Sequence, residues 1–313
     1  MEMPGIQGSG DDNPLFHDDR QAAGPPCPGK KTFGTISMTK MDRRYFLGLT
    51  LAGVTAATGV YWSPVAAKPK TPRPSTDYFE KIRDFDGDHS EDIWLARNEL
   101  PLLAETVAHL KRVQTKMGHG NFHLLGFDEM LRFGRNYSDI KPFTAREIEF
   151  MERIFYREAA RYGFLGEKLL THLTDNISKR QVVKIPGTGQ YIAKGKSLDI
   201  CHKVQRAVGD DLILTSGVRG IAKQMYLFMN KALVTKGNLS RASRSLAPPG
   251  YSYHAIGDFD VGQKGLGRLN FTKTFATTRV YRRLIDLGFT EIRYPPDNLV
   301  GVRFEPWHIK IIS

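Results

Sequence analysis

Two short polar segments near the C-terminus place the strongest constraint on the fold, because together they hold the donors of one complete site. They are SYHAIGDFDVG (252–262) and FEPWH (304–308), and about forty residues separate them. A hydrolytic metal site needs three protein ligands, an open position for water and a carboxylate that takes the proton of that water. A fold that brings the two segments together supplies these groups from His254, Asp260, His308 and Glu305.

The second segment is predicted to be extended or a turn. Pro306 disfavours the helical region for Glu305 and has no N–H to donate. Glu305 and His308 then leave the backbone in different directions, as a base and a metal ligand must, since the base acts on water. Taken alone, this run is also compatible with a surface carboxylate and a core histidine. The upstream segment favours the metal site.

In the first segment, strand alternation puts Asp258 and Asp260 on one face and Phe259 and Val261 on the other. A carboxylate of this face can therefore reach a metal beside His254. The alternation does not distinguish the two aspartates.

Three motifs resemble those of the zinc D-alanyl-D-alanine carboxypeptidases of the vancomycin-resistance (VanY-like) type, and they occur in the family's order. SGVRG with Gln224 (216–224) is similar to SGYRSxxxQ, SYHAIG is similar to SxHxxG, and FEPWH is similar to YEPWH. The resemblance extends from about residue 176 to the C-terminus. It implies a compact α+β domain over 176–313, with a small antiparallel sheet and flanking helices.

The resemblance also implies roles for individual residues. His254 and His308 become zinc ligands, Glu305 the catalytic base, and Arg219 a contact for the substrate or the developing oxyanion. It further implies substrate contacts at Ser252, Gln224 and Trp307, the last as a pocket wall.

The aspartate ligand departs from the family's spacing. The family places it seven residues after the histidine, where this chain has Val261. A one-residue deletion aligns Asp260 with the ligand, so we expect Asp260, with Asp258 as the alternative.

The implied activity is zinc-dependent removal of the terminal D-alanine from peptidoglycan stem peptides, with Zn²⁺ as the cofactor. L,D-carboxypeptidase and cross-link endopeptidase activities belong to related enzymes and stay open, as does a non-catalytic wall-binding role. Stem peptides are the expected partner, and nucleic acid is not expected.

Residues 78–175 are predicted to form a helical N-terminal region. The clearest helix runs over 144–162, where Thr144 and Glu147 form a capping-box pattern. Another follows an interruption at Pro101.

Elements of both kinds are predicted in the C-terminal part. They are a hairpin around Gly187-Thr188-Gly189, a strand at 211–215, helices at 221–233 and about 272–287, and two final strands. The basic stretch 234–250 is predicted to be a long loop, either merely solvated or a rim that guides an anionic substrate.

The N-terminal third predicts export. Arg43-Arg44 precedes a charge-free stretch, Tyr45–Ala67, so residues 41–67 are typical of a twin-arginine signal, followed by a linker at 68–77. We therefore expect a periplasmic or cell-envelope protein, with membrane contact only if the signal is kept as an anchor. Residues 1–40 lack apolar periodicity and predict a disordered extension, with translation beginning at Met38 or Met41.

Charge fits this location. The chain has 45 Lys and Arg against 33 Asp and Glu, an excess that attracts anionic envelope polymers. Removal of the signal leaves Cys201 as the single cysteine, so we expect no internal disulfide. The oligomeric state cannot be read from these patterns.

Overall fold

The computed structural model describes residues 76–288 and 291–311. The predicted extension, export signal and nearly all of the linker lie outside these residues. Within the described part, no helix combines the length and the apolar character needed to cross a membrane.

Helices dominate the first hundred described residues. They are α1 (Thr76–Arg83), α2 (Leu100–Met117), α3 (His119–Phe122), α4 (Phe127–Asn136) and α5 (Ala145–Tyr156). Pro101 lies in the first turn of α2, where its missing N–H costs nothing, so the predicted interruption is the start of the helix. At the other end of α2, Gly118 adopts φ 87° and ends it.

The predicted capping box forms, but the helix that it begins is shorter than expected. Thr144 Oγ1 accepts from the Glu147 N–H (3.2 Å), and Glu147 Oε2 accepts from the Thr144 N–H (2.8 Å). Arg157 is extended and ends α5, and a separate 3₁₀ turn over Ala159–Tyr162 completes the predicted span. The prediction of one continuous helix to Tyr162 was wrong.

The remaining elements are a mixture of strands and helices. In chain order they are β1 (Val182–Lys184), β2 (Tyr191–Ala193), α6 (Lys196–Val208), β3 (Leu212–Ser216), α7 (Ile221–Val234), α8 (Leu239–Ser245), β4 (Phe259–Gln263), α9 (Arg279–Asp286), β5 (Glu291–Ile292) and β6 (His308–Lys310). β1 and β2 form the predicted antiparallel hairpin. The other four strands form an antiparallel sheet in the order β3-β4-β6-β5, which confirms the α+β fold class.

The prediction of a basic loop over 234–250 was wrong. Asn238 caps α8 by accepting the Arg241 N–H on its side-chain oxygen (2.8 Å). Arg244, expected to be solvated or on a substrate rim, is buried and forms an ion pair with Asp92 (2.8 Å). This ion pair ties α8 to the segment that follows α1.

Two hydrophobic clusters support the fold. The first joins the N-terminal helices to α7 and α8, so residues 78–175 share a core with the C-terminal part. The second lies beneath the sheet, where Phe259, Val261 and Ile309 pack against side chains of α6 and α9. Trp307 belongs to this second cluster and is 3% exposed.

We predict that Asp92→Asn destabilises the fold by about 3 kcal/mol, because it leaves the buried Arg244 guanidinium without its charge partner. The free energy of unfolding from urea titration measures the loss. Asp139→Asn, which breaks an exposed pair with Lys116, is the matched control and should leave the free energy of unfolding nearly unchanged.

The pH dependence has a definite sign. Burial alone would raise the pKa of Asp92, but its bonds to Arg244, Asn238 and the His89 N–H outweigh burial and hold the pKa at about 2. The stabilisation is therefore present above the ordinary aspartate pKa, 3.8, and is lost as the pH falls towards 2. An Asp92→Asn effect that stays constant over this window would contradict the assignment.

Candidate metal centre

The register of the sheet brings the two polar segments together. In the antiparallel pair of β4 and β6, Asp260 lies directly opposite His308. Directly opposed residues project to the same face, so these two side chains meet. Their neighbours Phe259 and Ile309 project to the other face, into the second cluster.

His254 reaches the same place from a 3₁₀ turn, Tyr253–Ile256, which ends where Gly257 adopts φ 116°. Its Nδ1–H donates to the Gly217 carbonyl (2.8 Å), and this fixes the lone pair on Nε2. Nε2 is buried, lies 3.3 Å from Asp260 Oδ2 and has no hydrogen-bond partner. Burial, with the charge of Arg219, lowers the pKa of His254 to about 4, so the ring is neutral at pH 7.

His308 is oriented by a different acceptor. Its Nε2 lies 3.1 Å from Asp258 Oδ2, and its Nδ1 faces Asp260 Oδ1 (3.4 Å) and Glu305 Oε2 (3.4 Å). Burial would lower the pKa of His308, but the hydrogen bonds to Asp258 and Glu305 outweigh it and raise the pKa to about 9. With Nε2–H donating to Asp258, Nδ1 is the nitrogen that faces the centre.

Asp258 is already saturated with donors. Arg293 donates to both of its oxygens (2.7 and 3.0 Å), and the Ile311 N–H donates to Oδ1 (2.8 Å). Burial alone would raise the pKa of Asp258, but His308 and Arg293 hold it at about 2. Asp258 therefore positions His308, a role that sequence reasoning did not assign to it.

Asp260, unlike Asp258, has an oxygen that accepts no hydrogen bond. Its Oδ1 is buried without a hydrogen-bond partner, and its Oδ2 accepts from Arg219 (2.6 Å). Burial would raise the pKa of Asp260, but His254 and Arg219 hold it far below the usual range, so the group is ionised. Of the two candidate aspartates, this is the one with a free lone pair towards both histidines.

The three side chains satisfy the requirements of a metal site. His254, Asp260 and His308 are all buried, and each offers a ligand atom within 4.8 Å of the other two. Buried acceptors without donors are costly, and a cation between them removes the cost for His254 Nε2 and Asp260 Oδ1 together. Two imidazoles and one carboxylate suit zinc, with a fourth position left for water or substrate.

Glu305 lies beside this group without belonging to it. Its backbone N–H donates to the Tyr294 carbonyl (3.0 Å), and its side chain lies between His308 and Arg303, whose Nε is 3.8 Å from Oε1. Burial raises the pKa of the Tyr294 hydroxyl, and the charges of Glu305 and Asp258 raise it further.

Arg219 is held by two partners. Its Nη2 donates to Asp260 and its Nε donates to Ser216 Oγ (2.8 Å), so it fixes the carboxylate of the candidate ligand. Its side chain stays 12% exposed. A substrate contact for Arg219 stays a prediction.

A narrow cleft adjoins Arg219. Gln224 and Ser252 line it, and Gln224 donates from Nε2 to the Ala247 carbonyl (2.5 Å) while its buried Oε1 has no partner. Trp307 does not line this cleft, because its side chain packs in the second cluster against Phe271. Trp307 therefore lies in the core and not at the wall of this cleft.

Comparison with known proteins agrees with the motifs. Residues 192–313 match the family model described as VanY, D-alanyl-D-alanine carboxypeptidase, which confirms the predicted family over these residues. No curated protein matches the chain.

Three solved structures are similar to the chain. The LdcB LD-carboxypeptidase is 23% identical over 47% of this chain, with a TM-score of 0.34, and the match covers 65% of LdcB. The vancomycin resistance D,D-pentapeptidase VanY, as a mutant with Zn(II), is 24% identical over 49% of this chain and 89% of its own, with a TM-score of 0.37. VanYB in complex with D-alanine-D-alanine is 24% identical over 49% of this chain and 86% of its own, with a TM-score of 0.37.

We predict different effects of the two aspartates on zinc binding. Asp260→Ala should abolish stoichiometric zinc, whereas Asp258→Asn should retain a site with about 10- to 100-fold weaker affinity, as expected when the support of a ligand histidine is lost. Competition with a chromophoric chelator measures both. Asp286→Asn, an exposed change on α9, is the control. Loss of zinc in Asp258→Asn but not in Asp260→Ala would exchange the two roles.

Proposed function

We propose that this chain, a VanY-family peptidase over residues 192–313, is a zinc-dependent D-alanyl-D-alanine carboxypeptidase that trims peptidoglycan stem peptides. The observation that carries the proposal is the buried His254, Asp260 and His308 group with Glu305 beside it. A site that retained only a binding function would not need a carboxylate next to a complete donor set.

The zinc would be held by His254, Asp260 and His308, of which His254 Nε2 lies 3.3 Å from Asp260 Oδ2 and His308 Nδ1 lies 3.4 Å from Asp260 Oδ1. Both histidines must present an unprotonated nitrogen to it. When bound, zinc supplies Lewis acidity, which polarises a carbonyl group and lowers the pKa of water.

Glu305 is the general base of the proposed reaction. Its Oε2 lies 3.4 Å from His308 Nδ1, so the carboxylate borders the group that would hold the zinc. Glu305 would take the proton of the attacking water and return it to the amine that leaves.

Arg219 and the cleft bind the substrate. Serine and aspartate partners hold the guanidinium in place, and its exposed part is available to a terminal carboxylate or to the oxyanion that develops at the scissile carbonyl. Gln224 Oε1 can accept a peptide N–H, which would give this buried oxygen the donor that it lacks. Ser252 offers a hydroxyl in the same cleft.

The proposed location follows from the substrate and from the Arg43-Arg44 segment. A chain exported by the twin-arginine route meets peptidoglycan in the envelope, where its stem peptides are accessible. The basic excess adds long-range attraction to anionic envelope components.

The activity test compares three purified muropeptides: a pentapeptide, a tetrapeptide and a cross-linked dimer. Zinc-dependent release of D-alanine from the pentapeptide, abolished by a chelator and restored by zinc, is the expected result. Release from the tetrapeptide alone would make the enzyme an L,D-carboxypeptidase, and cleavage of the dimer alone an endopeptidase. Stoichiometric zinc without cleavage of any of them would leave a binding role.

We predict that Glu305→Gln keeps zinc and lowers kcat by about 10²- to 10⁴-fold, since the variant removes the base but none of the three ligands. Zinc content and D-alanine release are measured on the same sample. Glu291→Gln, an exposed change on β5, is the control and should leave kcat unchanged. Full activity of Glu305→Gln would remove Glu305 from the reaction.

A further inference from the structure

Most of the basic excess of the chain lies in its C-terminal part. Residues 176–313 contain 22 Lys and Arg against 9 Asp and Glu, whereas residues 76–175 contain 14 against 18. The C-terminal part is therefore strongly basic and the N-terminal helices are weakly acidic. A uniform need for solubility would not produce this separation.

Two helices of the C-terminal part, α6 and α9, carry more exposed cations than exposed acids. These helices contact each other and bury Val204 and Leu284 in the second cluster. They therefore cover the sheet face that carries Phe259 and Val261, and their outer sides face solvent. We call this outer surface the basic face; its exposed cations include Lys203, Arg206, Arg279, Arg282 and Arg283, and Asp199 and Asp286 are the exposed acids of the same two helices.

Internal ion pairs do not account for these cations. Arg279 pairs with Asp211 across a depression that Arg283 also lines. Within the described part of the chain, neither Arg282 nor Arg283 has an ion pair. Arg279 is also the first residue of α9, where the helix dipole disfavours a cation. Ion pairing within the fold therefore does not explain Arg282 and Arg283.

Aliphatic side chains are exposed on α9 and in a 3₁₀ turn, Gly267–Phe271, that precedes it in the chain. Leu269, next to Arg268, is 49% exposed, and Ile285, one turn after Arg282, is 47% exposed. A soluble polyanion gains nothing from contact with them. A bilayer surface offers phosphates to guanidinium groups and hydrocarbon to aliphatic tips, so it fits both features.

We propose that the basic face docks on an anionic phospholipid bilayer. The candidate metal centre lies on the other side of β4, because Asp260 alternates with Phe259 and Val261 along that strand. Docking therefore leaves the centre directed away from the bilayer. The proposal does not depend on the peptidase activity.

The test is co-sedimentation of the full chain with phosphatidylcholine vesicles that contain or lack phosphatidylglycerol, at low and high ionic strength. Phosphatidylglycerol should strengthen binding, and salt should weaken the part of the binding that phosphatidylglycerol adds. Arg282→Glu with Arg283→Glu should weaken it by at least about tenfold, since each basic residue at an anionic surface contributes about fivefold. Segment 45–67 is the same in every variant, so its own contribution cancels in the ratio.

The matched control reverses two exposed cations of α2. Lys111→Glu with Arg112→Glu changes the net charge equally but lies outside the basic face, and it should change binding by less than about twofold. Equal weakening by the two reversals, or no weakening by either, overturns the proposal. Thermal unfolding confirms that each variant is folded, and Arg282→Gln with Arg283→Gln replaces the reversal if it is not.

A second pair of variants separates a bilayer from a soluble polyanion. Leu269→Ser with Ile285→Ser should weaken vesicle binding severalfold and leave binding to polyphosphate unchanged. Polyphosphate binding as tight as vesicle binding, with no effect of these serines on the vesicles, would assign the face to a soluble polyanion and overturn the proposal. Cleavage of a soluble pentapeptide should be unchanged in all these variants.

Discussion

The pairing of β4 with β6 is the constraint on which the site depends. It places Asp260 opposite His308, although 47 positions of chain separate them, and it buries Phe259 and Ile309 on the reverse face. A slip of one residue would exchange the two faces of the moving strand, so that hydrophobic side chains would enter the centre and ionisable ones the core. The register that packs the core therefore also assembles the donors.

The centre concentrates buried charge, and arginines compensate it. Asp260 is paired with Arg219, and Asp258 with Arg293, so neither carboxylate is buried alone. Two acceptors that lie side by side in the centre, His254 Nε2 and Asp260 Oδ1, are left without donors. A fold selected only for stability would have satisfied them, so these two atoms are the strongest physical indication of a bound cation.

The sequence predicted most of this arrangement because ligands and base must be polar residues at spacings that a strand or turn can present. It could not rank Asp258 against Asp260, since both lie on one face and only the donors from Arg293 and Ile311 separate them. The stretch 234–250 was mispredicted for the same reason. Its arginines have no acidic neighbours in sequence, and the partner of Arg244 is Asp92, which lies far away along the chain. In both cases the role of the residue depends on hydrogen-bond or ion-pair partners that are distant in sequence.

Strand alternation links the two proposed surfaces. On β4, Asp260 projects to the metal centre, while Phe259 and Val261 project to the second cluster, which α6 and α9 cover. The basic face is the outer side of these two helices, so the sheet and one layer of helices separate it from the centre. Contact with a bilayer therefore need not cover the cleft beside Arg219. A docked chain would present its centre to material on the far side from the membrane, which is where peptidoglycan lies in a cell envelope.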